Sequence, residues 1–170
     1  MISNWIKSAA LFVLLILLQV LIFNHISFIG YATPFLYVYF LIKMPVGLNR
    51  NLLILLGFLL GFTIDIFCNT FGQNAAAAVF AAFICQPVQG LFFSRDDFEN
   101  STPSMVLLGN AFLKYALLVI LIHHSVLISI SSFSYLNVIT IILRILSSTI
   151  LTFILVFAIE GLFVKKKKHE

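Results

Sequence analysis

The chain has 170 residues, of which 62% are hydrophobic and only 9% charged, and its formal net charge is +4. Soluble domains carry about 25% charged residues, so this composition excludes a soluble globular domain and indicates an integral membrane protein. Much of the positive charge lies in the lysine run 165–168, which directly follows a hydrophobic stretch. We interpret this run as a topology anchor near anionic lipid headgroups rather than a nucleic-acid site.

Hydropathy predicts a compact all-α bundle of six transmembrane helices, because each crossing needs roughly 20 mostly apolar residues. The predicted spans are residues 5–23, 28–43, 51–68, 75–93, 104–122 and 136–163. The first span has Trp5 and Lys7 as interface anchors and Gln19 as its only strongly polar interior residue. The second is the weakest, since its apolar stretch 35–42 is too short to cross alone. It must recruit the residues before it or remain partly re-entrant.

The connectors between the spans carry their basic residues on one side of the membrane only. These residues are Lys7, Lys43, Arg50, Arg95 and the run 165–168. Because basic connectors stay cytoplasmic, we expect both termini in the cytoplasm. His25 and the links 69–74 and 123–135 are then expected on the outer side.

Small residues and one acid share a face of the third span. Gly57, Gly61 and Asp65 follow one another at four-residue spacing, so both glycines lie on the helix face that presents the carboxylate. Glycines at this spacing permit close helix packing in membranes. The fourth span offers a matching surface of small side chains between Ala78 and Cys85. We expect the two spans to pack tightly, with a partner helix as the alternative occupant of the glycine face.

Three charged side chains fall near the middle of predicted spans, where each costs at least about 2.5 to 3.5 kcal/mol on insertion scales. They are Asp65, Lys114 and Arg144, at similar heights in the middle to outer half of the membrane. We interpret them as a buried charge network in which Asp65 neutralises Lys114 or Arg144. A ligand or ion site and a partner-binding site are the alternatives. Arg144 also belongs to a polar stripe that should face the interior, with Thr140, Ser147 and Ser148 on the same face and Asn137 and Thr152 extending it.

The sequence contains no set of residues typical of catalysis or metal binding. His25, His123 and His124 fall in the predicted outer links and are interpreted as interfacial residues rather than a metal site. Cys68 and Cys85 lack metal-ligand spacing and are interpreted as small packing residues. No nucleophile and base pair and no phosphate-binding glycine loop is present. We therefore expect no catalytic residues, no metal, no cofactor and no enzymatic activity.

Residues 57–65 combine the two glycines with Asp65, and residues 71–74 (Phe-Gly-Gln-Asn) lead into an alanine-rich helix. With this pattern the chain resembles the rod shape-determining protein MreD family. The resemblance extends to the length, to Gln19 and the turn at 23–26, and to the basic tail. By match to the family motif it implies roles for Gly57, Gly61, Asp65 and Gly72.

The resemblance implies a bacterial inner-membrane component of the cell-elongation machinery. Its partner would be the bitopic protein MreC and, through MreC, the actin-like MreB and peptidoglycan synthases. The fold it implies is similar to the six-helix substrate-binding subunits of energy-coupling-factor vitamin transporters. We therefore expect a non-enzymatic membrane scaffold, and the pattern leaves homo-oligomerisation open.

Two other functions compete with the scaffold. A solute-binding transport subunit is the alternative, because buried charges in a helical bundle can bind a solute. Against it, the first span reads Ala-Ala-Leu-Phe-Val over 9–13 and lacks the A-x-x-x-A motif by which the vitamin subunits dock their coupling protein. A membrane enzyme comes third, since the chain lacks a nucleophile paired with a base.

Overall fold

The structure is a computed structural model that describes residues 2–26, 32–94, 101–132 and 137–167. These residues form seven α-helices and one 3₁₀ turn and contain no strand. The helices are α1 (Ile2–Leu21), α2 (Val38–Ile42), α3 (Arg50–Cys68), α4 (Gln73–Phe92), α5 (Met105–Leu108), α6 (Asn110–Ser131) and α7 (Val138–Lys167), and the 3₁₀ turn is Phe23–His25. Five of the helices, α1, α3, α4, α6 and α7, are long and apolar enough to cross a membrane. The chain is therefore an all-helical protein with five candidate membrane-spanning helices.

The third and fourth predicted spans agree with α3 and α4 to within two residues at each end. The turn between them is made by polar residues with special backbone angles. Asn69 ends α3 in the left-handed conformation, with φ of 54°, and Gly72 precedes α4 with φ of 74°. A positive φ is accessible to glycine and, less readily, to asparagine, so this turn follows directly from the sequence.

The predicted fifth span, 104–122, is wrong at both ends. The short α5 covers Met105–Leu108, and Gly109, with φ of 54°, interrupts the helix before α6 begins at Asn110. At the other end α6 continues to Ser131, so the residues from His123 onward belong to a helix rather than to an outer link. The helix extends past His123 because His123 and His124 face the bundle interior, where they are buried.

The predicted second span, 28–43, is not a continuous helix. Only Val38–Ile42 is α-helical, and residues 32–35 are irregular; residues 27–31 lie outside the described part of the chain. Pro34 contributes no backbone N–H and disfavours helix before it. Among the described residues, five helices are long and apolar enough to span a membrane, and the second predicted span is not one of them.

Side chains of other helices satisfy the backbone of this irregular stretch. Gln19 Nε2 donates to the carbonyl oxygen of Pro34 at 3.1 Å. Thr33 N donates to Ser148 Oγ and Phe35 N donates to Thr152 Oγ1, both at 3.1 Å. Non-helical backbone at membrane depth is tolerated where it is buried in protein with such partners. The predicted polar stripe of α7 thus faces the interior at Ser148 and Thr152, whereas Asn137 at its start is exposed.

Residues 32–46, which we call the central segment, form the centre of the bundle. Every residue from Leu36 to Ile42 is buried, and Tyr37, Val38, Leu41 and Ile42 have no exposed surface. The other long helices follow one another around this core, with α1 against α3, α3 against α4, α4 against α6, and α6 against α7. The core is thus built around a short, partly irregular segment rather than around a sixth long helix.

Contacts between distant residues define two ends of the bundle. At one end, which we call the Asp65 end, Asn24 Nδ2 contacts Cys68 Sγ at 2.9 Å, so α1 and α3 finish side by side. At the other, the Glu160 end, Lys43 pairs with Glu160. The central segment runs beside α7 in the same direction, since Thr33 contacts Ser148 and Lys43 contacts Glu160. It therefore connects the Asp65 end to the Glu160 end.

Candidate functional site

Asp65 lies near the end of α3 with its carboxylate directed at the first turn of α4, and it is 3% exposed. Its Oδ2 accepts a hydrogen bond from Ala75 N at 2.8 Å, and its Oδ1 accepts one from Asn74 N at 3.1 Å. Asn74 Nδ2 donates to the same Oδ1 at 2.9 Å, and the Thr70 hydroxyl also donates to it. Helix N-termini stabilise anions through free amides and the helix dipole. The carboxylate therefore caps α4 and needs no cation.

The structure does not bring together the three charges that the sequence suggested as a network. Lys114 is exposed on α6, and Arg144 is half-buried on α7. Within the described residues no ion pair links either of them to Asp65. The physical reason is that donors from residues 70–75 already satisfy the carboxylate. Donors in the turn before α4 and in its first residues thus take the place of the predicted cationic partners.

Gly57 and Gly61 lie against α4, as the packing interpretation predicted. A Cβ atom on Gly61 would lie 2.5 Å from Cα of Ala75, and one on Gly57 would lie 3.0 Å from the carbonyl oxygen of Ala78. No side chain fits at the first distance without moving backbone. The glycine face is therefore occupied by α4 and is not available to a partner helix. Gly72 has open space around its Cα and contributes only its turn conformation.

A chain of buried hydrogen bonds leads from Asp65 into the bundle. Because Asn74 Nδ2 donates to Asp65, its Oδ1 faces Tyr37 and accepts the tyrosine O–H at 3.0 Å. The Tyr37 oxygen lies 2.9 Å from His123 Nε2. Because its own hydrogen is donated to Asn74, it accepts a hydrogen bond from the N–H of His123 Nε2. Tyr37 and His123 have no exposed surface.

The neighbouring His124 continues this chain to the central segment. Its Nδ1 lies 2.8 Å from the carbonyl oxygen of Ile120, which can only accept, so Nδ1 carries the proton. Its Nε2 then accepts from Thr152 Oγ1 at 3.1 Å, while Thr152 in turn accepts from Phe35 N. His124 is neutral in this arrangement, because its Nδ1 carries a proton and its Nε2 accepts a hydrogen bond. The network joins the central segment to α3, α4, α6 and α7.

The three described histidines lie in two separate places. His25 is exposed beside the end of α1, whereas His123 and His124 lie inside the bundle and bond to groups of the protein. Among the described residues no group of three histidine, cysteine or carboxylate side chains could hold a metal ion. Cys68 is half-buried and Cys85 is buried, and both are free thiols.

The ion pair of the described structure lies at the Glu160 end. Lys43 Nζ is 2.8 Å from Glu160 Oε1, which also accepts the Tyr39 hydroxyl at 2.5 Å. Glu160 Oε2 accepts from Met105 N at 2.9 Å, at the start of α5. Glu160 has no exposed surface, and the Lys43 side chain is 14% exposed. This carboxylate therefore joins the central segment, α5 and α7 at one point.

Sequence reasoning missed this pair, although a signal for it was present. Glu160 is the one acidic residue in the predicted sixth span, and Lys43 was interpreted as a connector residue. Both lie near the ends of their spans on the same predicted side of the membrane. An acid placed inside an apolar helix, level with a lysine of another span, is a signal for pairing.

A cleft of about 660 Å³ opens beside this ion pair. One wall is α1, with leucines 11, 14, 15 and 18, and the opposite wall consists of the central segment and α7. Its polar end is formed by Lys7, Ser8, Lys43, Ser104 and Glu160. The cleft is thus apolar along its length and charged at the Glu160 end.

No family model matches the chain, and neither curated proteins nor solved structures give a match.

Proposed function

We propose that the chain is a non-enzymatic scaffold of the bacterial cell-elongation machinery in the inner (cytoplasmic) membrane. It would bind a bitopic partner of the MreC type and thereby help to organise MreB and peptidoglycan synthases. The observation that carries the proposal is the structural role of the residues in the glycine and aspartate motif. Gly61 and Asp65, which carry the resemblance, close α3 and α4 into one tight hairpin. Their role is architectural, as a scaffold requires.

The interior of the bundle supports a scaffold over a transport subunit. Transporter substrate sites lie near the membrane midplane, commonly at broken helices that offer free backbone groups to the solute. Here the broken stretch is the central segment, whose Pro34 carbonyl and Phe35 amide already bond to protein side chains. Tyr37 to Ile42 are buried and fill the centre of the bundle.

The proposal includes six crossings, of which the second is made by the central segment rather than by a long helix. Asn24 lies beside Cys68 at one end, and Lys43 lies at the other end beside Glu160, so the chain must return between α1 and α3. The basic residues Lys7 and Arg50 belong to the Glu160 end. By the positive-inside rule this end is cytoplasmic, and both termini would lie there.

The partner would bind through membrane-embedded faces of the long helices. The glycine face is covered by α4, so the faces left for a partner helix are those that now expose large apolar side chains, such as Phe58 and Phe62 on α3. The described outer turn 69–72 carries no charge and is short. It offers little to a soluble partner domain.

Depletion of the protein in its own rod-shaped host tests this function. We expect the cells to become round, because elongation-specific wall synthesis loses its organisation, while vitamin uptake continues. Wild-type protein supplied from a plasmid should restore the rods, and a Gly61→Leu variant should not. Normal shape combined with a new vitamin requirement would instead select the transport subunit.

A further inference from the structure

The cleft beside α1 has the shape and polarity of a site for a single amphiphile. From Lys7 to Leu18 its α1 wall extends about 16 Å, at 1.5 Å per residue. All the charged groups of its lining lie at the Lys7 end, and the remainder of that wall is leucine. Leu14, on this wall, is 53% exposed, so the cleft is open sideways to the surroundings of the bundle.

The charges at the polar end favour an anion. Lys7 is exposed and has no ion-pair partner among the described side chains, whereas Lys43 is balanced by Glu160. Two cations and one carboxylate leave one net positive charge at the mouth of the cleft. Ser8 and Ser104 add hydroxyl groups beside it. Basic pockets between membrane helices on the cytoplasmic side are typical binding sites for anionic lipid headgroups.

The distribution of charge in the cleft favours an amphiphile over a membrane-spanning partner helix, whose embedded surface would be mostly apolar. The cleft holds about 660 Å³ and is charged at one end only. These properties match an acyl chain that ends in a polar headgroup.

We propose that this cleft is a binding site for one anionic phospholipid of the surrounding bilayer. The phosphate lies at Lys7, with Ser8 and Ser104 beside it, and an acyl chain lies along the leucines of α1. The site is separate from the proposed scaffold function and does not depend on it. The bound lipid would cover the side of α1 that lines the open cleft.

Native mass spectrometry of the delipidated full-length protein tests the proposal. The probes are dioleoyl phosphatidylglycerol and dioleoyl phosphatidylcholine, which differ only in the headgroup. We expect one tightly retained phosphatidylglycerol, and we expect Lys7→Gln to weaken its binding about fivefold, the effect typical of one basic residue near a lipid surface. Lys114→Gln, which removes an exposed lysine of α6 outside the cleft, should leave binding unchanged.

A second pair of variants locates the acyl chain. Leu14→Trp should obstruct the cleft and reduce retention, whereas Leu17→Trp, on a half-exposed position of α1 outside the lining, should not. Equal retention of the two lipids, or equal losses for Lys7→Gln and Lys114→Gln, would overturn the proposal. So would competition by inorganic phosphate alone, which indicates a free anion site. Displacement of the lipid by a bitopic partner that itself requires Leu14 would assign the cleft to a helix.

Discussion

Lys43 Nζ and Glu160 Oε1 lie 2.8 Å apart and join two parts of the chain separated by 117 residues. This ion pair fastens the central segment to α7 at the Glu160 end of the bundle, and it does so where Glu160 has no access to solvent. A buried carboxylate of this kind requires all its partners, because any one of them that is removed leaves an unbalanced charge. The pair is therefore the most sensitive point at this end of the bundle.

Glu160→Gln should destabilise the folded protein by about 3 to 5 kcal/mol, since it leaves Lys43 uncompensated. Lys43→Met should cost a similar amount for the opposite reason. The double variant should recover much of the loss, and its midpoint of thermal unfolding in detergent, compared with those of the single variants, measures the coupling. Additive losses would show that the two side chains do not interact in the membrane.

Asp65→Asn should cost about 1 to 3 kcal/mol, because an amide cannot accept from every donor that now faces the carboxylate. Lys114→Gln, at an exposed position, should change stability by less than about 0.5 kcal/mol. Combining the two should give the sum of the single effects, because the groups do not touch. Rescue of Asp65→Asn by Lys114→Gln would indicate instead the direct charge pairing that hydropathy suggested.

Gly61→Leu should prevent the close approach of α3 and α4 and lower the yield of folded protein, with a cost of at least about 1 to 3 kcal/mol from overpacking. Gly90→Leu is the matched control, because a side chain on this α4 glycine meets nothing within 4 Å. Monodispersity on size-exclusion chromatography reports the outcome. Similar behaviour of the two variants would mean that the glycine face is not packed as described.

Single-cysteine labelling of intact cells tests the proposed orientation through the two ends of α4. In a background with Cys68→Ser and Cys85→Ala, a cysteine at Phe71, which is 96% exposed, should react with an impermeant maleimide. A cysteine at the exposed Ser94 should react only after the membrane is permeabilised. Reaction of Ser94→Cys from outside, with Phe71→Cys protected, would reverse the proposed orientation.

The local sequence was sufficient to predict α3, α4 and the turn between them. Hydropathy gave their limits, and the four-residue spacing of Gly57 and Gly61 gave their contact. Asp65 was correctly recognised as a buried acid that needs a partner. Its partner was missed because the rule for buried charges directs attention to cations, whereas here the start of the next helix supplies the donors.

The central segment could not be predicted because its structure depends on residues far away in the sequence. The backbone N–H groups of Thr33 and Phe35 have no helical partner and donate instead to Ser148 and Thr152, more than 100 residues later. No local pattern contains that information. The end of α6 was missed for a related reason, since His123 was interpreted as an interfacial residue, while in the fold its ring bonds to the buried hydroxyl of Tyr37.

Co-purification with the MreC protein of the same cell is the most direct test of the scaffold. The affinity-tagged chain would be extracted in mild detergent together with an MreC variant reduced to its single transmembrane helix and short flanks. We expect this helix to be retained by the wild-type chain and by the Gly90→Leu control, because the proposed scaffold binds its partner through membrane-embedded faces. Loss of the helix fragment with retention of full-length MreC would place the contact in the loops, and failure to retain full-length MreC would contradict the scaffold itself.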